Sequence, residues 1–341
     1  MFEIQSIQAE QGDALFVSYG DAANLRYLLI DGGVKESLAN LMTVLEQARN
    51  HGRLRLEALV VTHYDDDHIQ GIVALLKAKP AWLDIADIWF NGRRHLHAAD
   101  ILGHKDGDEL TTLIDGIHPW NSAFKEGRIC NTRYVPVELA GGMFIWVLSP
   151  DEERLRRLAR HWKDAAPPKD ISETPAADLL GRQDMWPLVP FSKYKYPPHT
   201  SDTSIPNGSS IALLLEFGES RALLAADAFA AVVKDSLLSR WKRPVKIDLL
   251  KVSHHGSKGN TDVALLQSLD CSRYLISTSG RTHVHPDQAL IASIIAEKPG
   301  AEIIFNYEQD QTSKWRDAPS DWPVHKLTYP IDDEPYVKVS L

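Results

Sequence analysis

Residues 60–71 read VVTHYDDDHIQG. An apolar strand, Leu59 to Val61, runs into a sharp turn that carries His63, Asp65, Asp67 and His68, and a helix follows over 69–78. Alternation along an extended chain sends the side chains at 63, 65 and 67 in a similar direction, and His68 turns in as the helix begins. Five of the six residues from His63 to His68 are polar. Grouping them at the end of a buried strand is costly unless something replaces their lost hydration. Divalent cations do so, because they accept both carboxylate oxygens and imidazole lone pairs. The competing reading is a solvated Asp-rich turn with Asp67 as N-cap of the helix. Capping explains one aspartate and leaves two flanking histidines unexplained.

Outward from this motif, one layout occurs twice. Residues 14–33, ALFVSYGDAANLRYLLIDGG, read as a strand pair around Gly20-Asp21 ending in Asp31; a helix-compatible stretch follows, then 56–68, LEALVVTHYDDDH. Residues 210–228, SIALLLEFGESRALLAADA, read as a strand pair around Gly218-Glu219 ending in Asp227; another helix-compatible stretch leads to 247–257, IDLLKVSHHGS. The strand-end acid and the histidine beyond the crossover lie 32 positions apart for Asp31 and His63, and 28 for Asp227 and His255. This is the pattern of a duplicated ββα-type unit whose polar residues project from the same ends of two sheets. Chance similarity accounts for the apolar content but not for matching chemistry at both strand ends.

Residues 90–205 differ. Residues 133–150, RYVPVELAGGMFIWVLSP, read as a strand pair, and 151–205 read as an insertion, a charged helix followed by an irregular Pro-rich segment. Arg154, Arg156, Arg157 and Arg160 are most simply a solvated helix face, with a substrate-contacting lid as the alternative. After 256 the chain returns to regular alternation: a helix near 260–268, a strand at RYLIST, a helix at 286–297 and a strand at AEIIFN. The C-terminal segment from Lys326 reads as an edge strand.

The bulk numbers exclude several classes. The chain has 341 residues, 44% hydrophobic and 24% charged, enough apolar material for a large core. Length is compatible with two domains or one large α/β unit, and the reading adopted is one domain over 1–341. No apolar run approaches the roughly 20 residues that cross a bilayer, and the N-terminus lacks a basic patch followed by an apolar block. Cys130 and Cys271 form neither a disulfide ladder nor a CxxC clamp and read as buried thiols. A cytoplasmic location is expected. The net charge of −9 weighs against a stable nucleic-acid binder but not against a catalyst, because bound cations make a cleft locally positive.

The pattern His63-x-Asp65-x-Asp67-His68 resembles the HxHxDH signature of the metallo-β-lactamase superfamily. The surrounding text is similar to one branch, the soluble domain of competence-type DNA-uptake proteins. QGDALFV (11–17), LLIDGG (28–33), THYDDDHIQG (62–71), NGSSIALLLEFG (207–218), LLAADA (223–228), LLKVSHHGS (249–257) and HPDQAL (285–290) occur in that branch's order. The likeness covers nearly the whole chain apart from the insertion. It implies an α/β four-layer αβ/βα sandwich and one or two divalent ions, Zn or Mn. It also implies roles: His63 and Asp65 hold one metal, Asp67, His68 and His255 hold the second, Asp227 bridges them, and Asp31 orients ligands without binding metal. Which of His254 and His255 ligates stays open. His255 is favoured by analogy with the ribonuclease J branch, which leaves His254 as a substrate contact; a strand-end pair satisfied by backbone carbonyls is the alternative for both.

Two departures from the signature matter. Its second histidine is Asp65, and SIPNGSS (204–210) stands where a further histidine is expected, offering Asn207 and Ser209 as substrate candidates, with Asn207 more simply a turn residue; Ser257 is a third candidate. Both changes make the first position poorer in nitrogen and richer in oxygen, which favours harder ions such as Mn²⁺. In THVHPDQ (282–288), His285 is a candidate proton donor to a leaving group; the alternative is an exposed residue before a helix with Pro286 in its first position. The remaining histidines, among them His95, His97, His104, His118 and His161, read as surface residues.

The expected chemistry is hydrolysis by metal-bound hydroxide, with Asp67 or Asp227 orienting the nucleophile. The branch implies a phosphodiester substrate, nucleic acid or nucleotide-like. A carboxylic ester or lactone hydrolase is the enzymatic alternative, and a metal-stabilised interaction module without turnover is the non-enzymatic one. A β-lactam substrate does not fit a chain with no visible secretion signal.

Overall fold

The computed structural model describes residues 1–49, 51–96, 105–164, 189–196, 198–282, 284–331 and 334–341. In the first half, Leu15–Asp21 and Asn24–Ile30 pair antiparallel, the helix Leu38–Arg49 crosses over, and Leu54–Val60 lies parallel to Asn24–Ile30. The second half repeats the sequence of events. Ala212–Phe217 and Ser220–Leu224 pair antiparallel, Ala230–Leu238 crosses over, and Leu249–Lys251 returns parallel to Ser220–Leu224. One expected turn is displaced. Asp21 still pairs with Asn24, so the first hairpin turns at Ala22-Ala23, whereas the second turns at Gly218-Glu219.

Each half grows into a sheet. The first runs, in spatial order, Tyr336–Ser340, Phe2–Ile7, Leu15–Asp21, Asn24–Ile30, Leu54–Val60, Leu83–Ile85. The second runs Lys326–Thr328, Glu302–Phe305, Arg273–Ile276, Leu249–Lys251, Ser220–Leu224, Ala212–Phe217, Met143–Ser149, Val137–Leu139. The C-terminal segment is therefore two edge strands, one on each sheet.

Pleating sorts successive residues to opposite faces and so builds the layers. Val17, Leu28, Ala58 and Val60 of the first sheet meet Leu213, Leu215, Ala222 and Leu224 of the second in a core between the sheets. Their neighbours Phe16, Leu29 and Leu59 face outward onto Leu41, Leu45, Ile69 and Ile72 of the helices. On the other outer face, Leu214, Leu223 and Leu250 pack on Val233, Leu237, Leu265 and Leu290. Helix, sheet, sheet, helix: this is the expected four-layer αβ/βα sandwich. Burial on both faces explains why the central strands read as unbroken apolar runs.

The helix after the motif starts at Asp66, with Asp65 at the N-cap position making no side-chain capping bond. Asp67 is thus inside the first turn and is not the cap, which leaves both carboxylates free to face elsewhere. This helix docks on the Asp31-Gly32-Gly33 turn by backbone contact: Gly32 N–H donates to His68 O (2.9 Å) and Gly71 N–H to Gly33 O (2.9 Å). A Cβ at Gly71 would stand 1.9 Å from Gly32 O.

The insertion begins with the helix Glu152–Asp164, and Leu155, Leu158 and Trp162 pack inward, Trp162 against Tyr64 of the motif. Arg156, Arg157 and Arg160 are exposed as expected. Arg154 departs from that face: it pairs with Asp151 and lies over the Phe229 ring. Residues 165–188, and with them the rest of the lid question, lie outside the described residues, as do His97, His104 and His283. His95 is not a surface residue. Its ring meets Trp120 edge-on at 4.6 Å, and burial together with Arg94 pushes it down to about 4. His118 and His161 are half-buried, so they too depart from the surface reading. The helix near 288 is Gln288–Glu297 with Asp287 at its N-cap, so Pro286 precedes it, and His285 is buried instead of exposed. Cys130 and Cys271 are buried free thiols. Among the described residues no helix is long and apolar enough to cross a membrane.

Candidate metal centre

Four imidazoles converge on one carboxylate oxygen. Asp227 Oδ2 lies 3.9 Å from His63 Nε2, 3.4 Å from His68 Nε2, 3.8 Å from His254 Nε2 and 3.6 Å from His255 Nε2. Asp65 Oδ2 stands 3.5 Å from His63 Nε2, and Asp67 Oδ2 stands 3.2 Å from His255 Nε2. The residues come from the ends of strands in both sheets. Two of them sit in left-handed backbone, His254 at φ 48° and His255 at φ 55°. That conformation is uncommon away from glycine, and non-glycine residues held in it cluster at functional sites.

The outer nitrogens show how each ring is set. His68 Nδ1 donates to Asp31 Oδ2 at 2.8 Å, and His255 Nδ1 donates to the Ser277 carbonyl at 3.1 Å. Thr62 donates its one hydroxyl proton to Asp31 Oδ2 (2.7 Å), so its oxygen accepts from His63 Nδ1 (3.0 Å). Asn260 donates through Nδ2 to Asp202 and to Asp227 O, which leaves its Oδ1 to accept from His254 Nδ1 at 2.9 Å. Every Nδ1 therefore carries the proton in the neutral ring, and every Nε2 offers a lone pair inward.

That inward set fits cations. His63 Nε2 and Asp227 Oδ1 are buried and accept no hydrogen bond, and His68 Nε2 faces His255 Nε2 at 3.3 Å, lone pair against lone pair. Among the described residues, six carboxylates, of Asp13, Asp31, Asp65, Asp67, Asp202 and Asp227, stand within 4 Å of a nitrogen of these four imidazoles, with Lys251 the one buried lysine or arginine beside them. Such an arrangement is stable when positive charge fills it. Without a metal, protons take that role. Burial alone pushes His255 down, but Asp227 and Asp13 outweigh it and lift it to about 10, and His68 rises likewise under Asp227, Asp67 and Asp31. Burial raises the carboxyls of Asp67 and Asp227, yet the facing imidazoles hold both below the usual carboxylate range.

The expected site residues divide clearly. His63, Asp65, Asp67, His68, Asp227, His254 and His255 meet in the cluster. Asp31 stands behind it and accepts from Thr62 N (2.8 Å), Thr62 Oγ1 and His68. His285 is buried with its ring edge-on to that of His254 at 5.6 Å. Asn207 donates to Asp202 at 2.7 Å and so braces the network that holds His254. Ser209 and Ser257 turn their hydroxyls to backbone groups: Ser209 Oγ donates to Pro206 O, and Ser257 Oγ accepts from Gly259 N–H, while Ser257 N–H donates to His254 O at 2.8 Å. The serine that matters is the next one, Ser210, whose Oγ lies 3.4 Å from His63 Nδ1 and accepts from Asp227 N–H at 3.1 Å. Asp13 was also absent from the expected set, yet Asp13, His68, Asp227 and His255 bring potential ligand atoms within 4.8 Å of one another. An acid inside the apolar stretch AEQGDALFV, and a lysine inside LLKVS, were the available signals.

Comparison with known proteins finds distant likenesses. No family model matches the chain. A 148-residue stretch is 28% identical to ComE operon protein 3 of Bacillus subtilis (strain 168), covering 43% of this chain and 17% of that protein's length. Among solved structures, the metallo-beta-lactamase fold protein YhfI from Bacillus subtilis aligns over 99% of both chains at 13% identity and TM-score 0.47. Zn(2+)-bound PqqB from Methylobacterium extorquens aligns over 100% of both at 12% identity and TM-score 0.44. A diphosphatase from the PhnP family aligns over 99% of this chain and 98% of that one, at 11% identity and TM-score 0.43.

Proposed function

We propose that this chain is a metal-dependent hydrolase acting on a phosphodiester, either nucleic acid or a nucleotide-like molecule. The observation that carries the reading is the Asp227 carboxylate ringed by four Nε2 atoms whose opposite nitrogens are all anchored. His63 and Asp65 would hold one cation and Asp67, His68 and His255 the other, with Asp227 shared and His254 beside it at 3.8 Å. When bound, the cations supply Lewis acidity, lowering the pKa of water from about 15.7 toward about 7 and stabilising charge on the attacked centre.

The chain's own residues define where substrate meets this cluster. His63, His68, His255 and Asp227 are buried, whereas the side chains of Asp65, Asp67 and His254 are 34%, 20% and 27% exposed. Substrate therefore approaches from the Asp65–Asp67–His254 side. Asp67 accepts a hydrogen bond from the attacking water there, and His254 faces the leaving group, with buried His285 stationing its ring. The oxygen-rich first position suits hard ions and the oxyanions of phosphoryl groups. The resemblance to the competence-type branch favours the same substrate class.

Elemental analysis of the purified protein comes first, followed by assays with Mn²⁺ or Zn²⁺ against bis(p-nitrophenyl) phosphate, DNA and RNA beside an ester and lactone panel. Cation-dependent phosphodiester cleavage, reduced at least about 100-fold in Asp227→Asn, is the expected result. Turnover confined to esters would replace the substrate class, and cation binding without turnover on any substrate would leave an interaction module.

A further inference from the structure

Behind the imidazoles of the cluster stand different kinds of group. His63, at the first position, is backed by neutral partners, the Thr62 and Ser210 hydroxyls, whereas His254 donates to the Asn260 amide with the Asp202 carboxylate farther off at 3.7 Å. His68 and His255, at the second position, are each backed by a buried carboxylate, Asp31 at 2.8 Å and Asp13 at 3.4 Å. Asp13 is 1% exposed. Its Oδ2 accepts from Lys251 Nζ, and Lys251 is itself fully buried, donating further to Ala226 O at 3.5 Å. Asp13 Oδ1 accepts no hydrogen bond and faces His255 Nδ1. Backbone bonds fix the aspartate from both sides, Asp13 N–H to Asp67 O (3.2 Å) and Gly33 N–H to Asp13 O (2.8 Å).

We infer that Asp13, held by Lys251, is a positioning residue for His255 that makes the second cation position the tighter of the two. The inference rests on the reading that the cluster binds divalent cations. Asp13 is not itself a ligand in this role. It lies at the Nδ1 edge of the imidazole, whereas Asp67, Asp227 and His68 lie at the Nε2 edge. With Nδ1–H donated to Ser277 O, negative charge at that edge keeps the proton there and strengthens Nε2 as a donor, and outer partners of this kind alter metal affinity by about 10–100-fold. Lys251 has a separate task. It fixes which oxygen points at the ring and prevents the carboxylate from swinging through to the cations. The first position, where His63 has only hydroxyls behind it and Asp65 is a third exposed, releases its cation first.

The test is stepwise cation binding by isothermal titration with Mn²⁺ and with Zn²⁺. Wild-type protein takes up a tight and a weak equivalent, and Asp13→Asn weakens the tight one at least 10-fold while the weak one changes less than 3-fold. Because Asp13→Asn leaves Lys251 buried without a counter-charge, the paired variant Asp13→Asn with Lys251→Met is titrated beside it, with cation-free melting as the fold control. A tight site unchanged in a folded variant overturns the inference. If the wild type binds no cation at all, the underlying functional reading fails instead. A measurement on wild type alone covers the case of misfolded variants: long-range ¹H–¹⁵N spectra of the Zn²⁺-loaded protein should show His255 protonated at Nδ1 and metal-bound at Nε2. The reverse assignment also overturns the proposal.

Discussion

Asp31 makes three contacts with one carboxylate, to Thr62 N, Thr62 Oγ1 and His68 Nδ1, and all three need an acceptor. Asparagine keeps the shape but turns one end into a donor, which must face a donor at one of these contacts. Asp31→Asn should therefore lower cation affinity about 10–100-fold, read by titration against a chelating dye; unchanged affinity would show that His68 does not depend on its outer partner. The same groups set the pH response. His68 and His255 have raised folded values, so the stability they contribute in the cation-free chain is complete below the unfolded value of about 6.5. It is lost as pH rises toward about 10 for His255. Asp13, Asp67 and Asp227 act oppositely: burial raises them, but Lys251 and the facing imidazoles win and carry Asp13 down to about 2. Their contribution is complete above about 3.9 and fades as pH falls through those low values. The cation-free chain is thus expected to be most stable between about pH 4 and 6.5, and cation uptake at pH 7.5 should release protons. Titrations in buffers of differing ionisation enthalpy check this, and a buffer-independent heat would sink it. Of this site, His63, Asp65, Asp67 and His68 were legible from sequence because strand alternation groups them, and Asp31, Asp227, His254 and His255 because they end the strands of a repeated layout and match the resembling branch. Asp13, Lys251 and Ser210 were not, since their significance comes from contacts reaching up to 238 residues along the chain.

At the scale of elements, the fold was readable wherever burial on both faces forces an unbroken apolar run ending in a polar group, as at LEALVV and IDLLKV. It was less readable where pairing partners decide. The C-terminal segment divides between two sheets because Glu302–Phe305 captures Lys326–Thr328, whereas Phe2–Ile7 captures Tyr336–Ser340. The first hairpin turns two residues late because its strands are long enough to pair through Asp21. One element contact yields a prediction with opposed local and tertiary terms. In a solvent-exposed helix, Gly→Ala gains about 1 kcal/mol. At Gly71 the new methyl would meet Gly32 O, in the residue that follows Asp31. Gly71→Ala should destabilise by about 1–3 kcal/mol in urea unfolding and weaken cation binding together with it, since the helix carries Asp67 and His68. A stabilised variant would mean that the helix shifts freely on its turn.

For the molecule as a whole, the cluster lies where two similar halves meet. The first half supplies His63, Asp65, Asp67 and His68; the second supplies Asp227, His254 and His255. The sheets are otherwise joined by an apolar core that needs no ions, so the sandwich is expected to fold without cations and to be cross-linked by them afterward. A ligand that binds only the native state adds about 2.7 kcal/mol at 100 times its Kd. Wild-type melting should therefore rise with Mn²⁺ or Zn²⁺ and fall back with chelator, and Asp227→Ala, which removes the group between the halves, should abolish most of that rise. Global melting cannot distinguish a cross-link from a local clamp, but hydrogen exchange can. Cation addition should slow exchange at residues 62–68 and at residues 225–228 and 252–256 over one concentration range. Protection confined to the first group would show that the ions belong to one half alone, and the two sheets would then have to be treated as independent supports of the site.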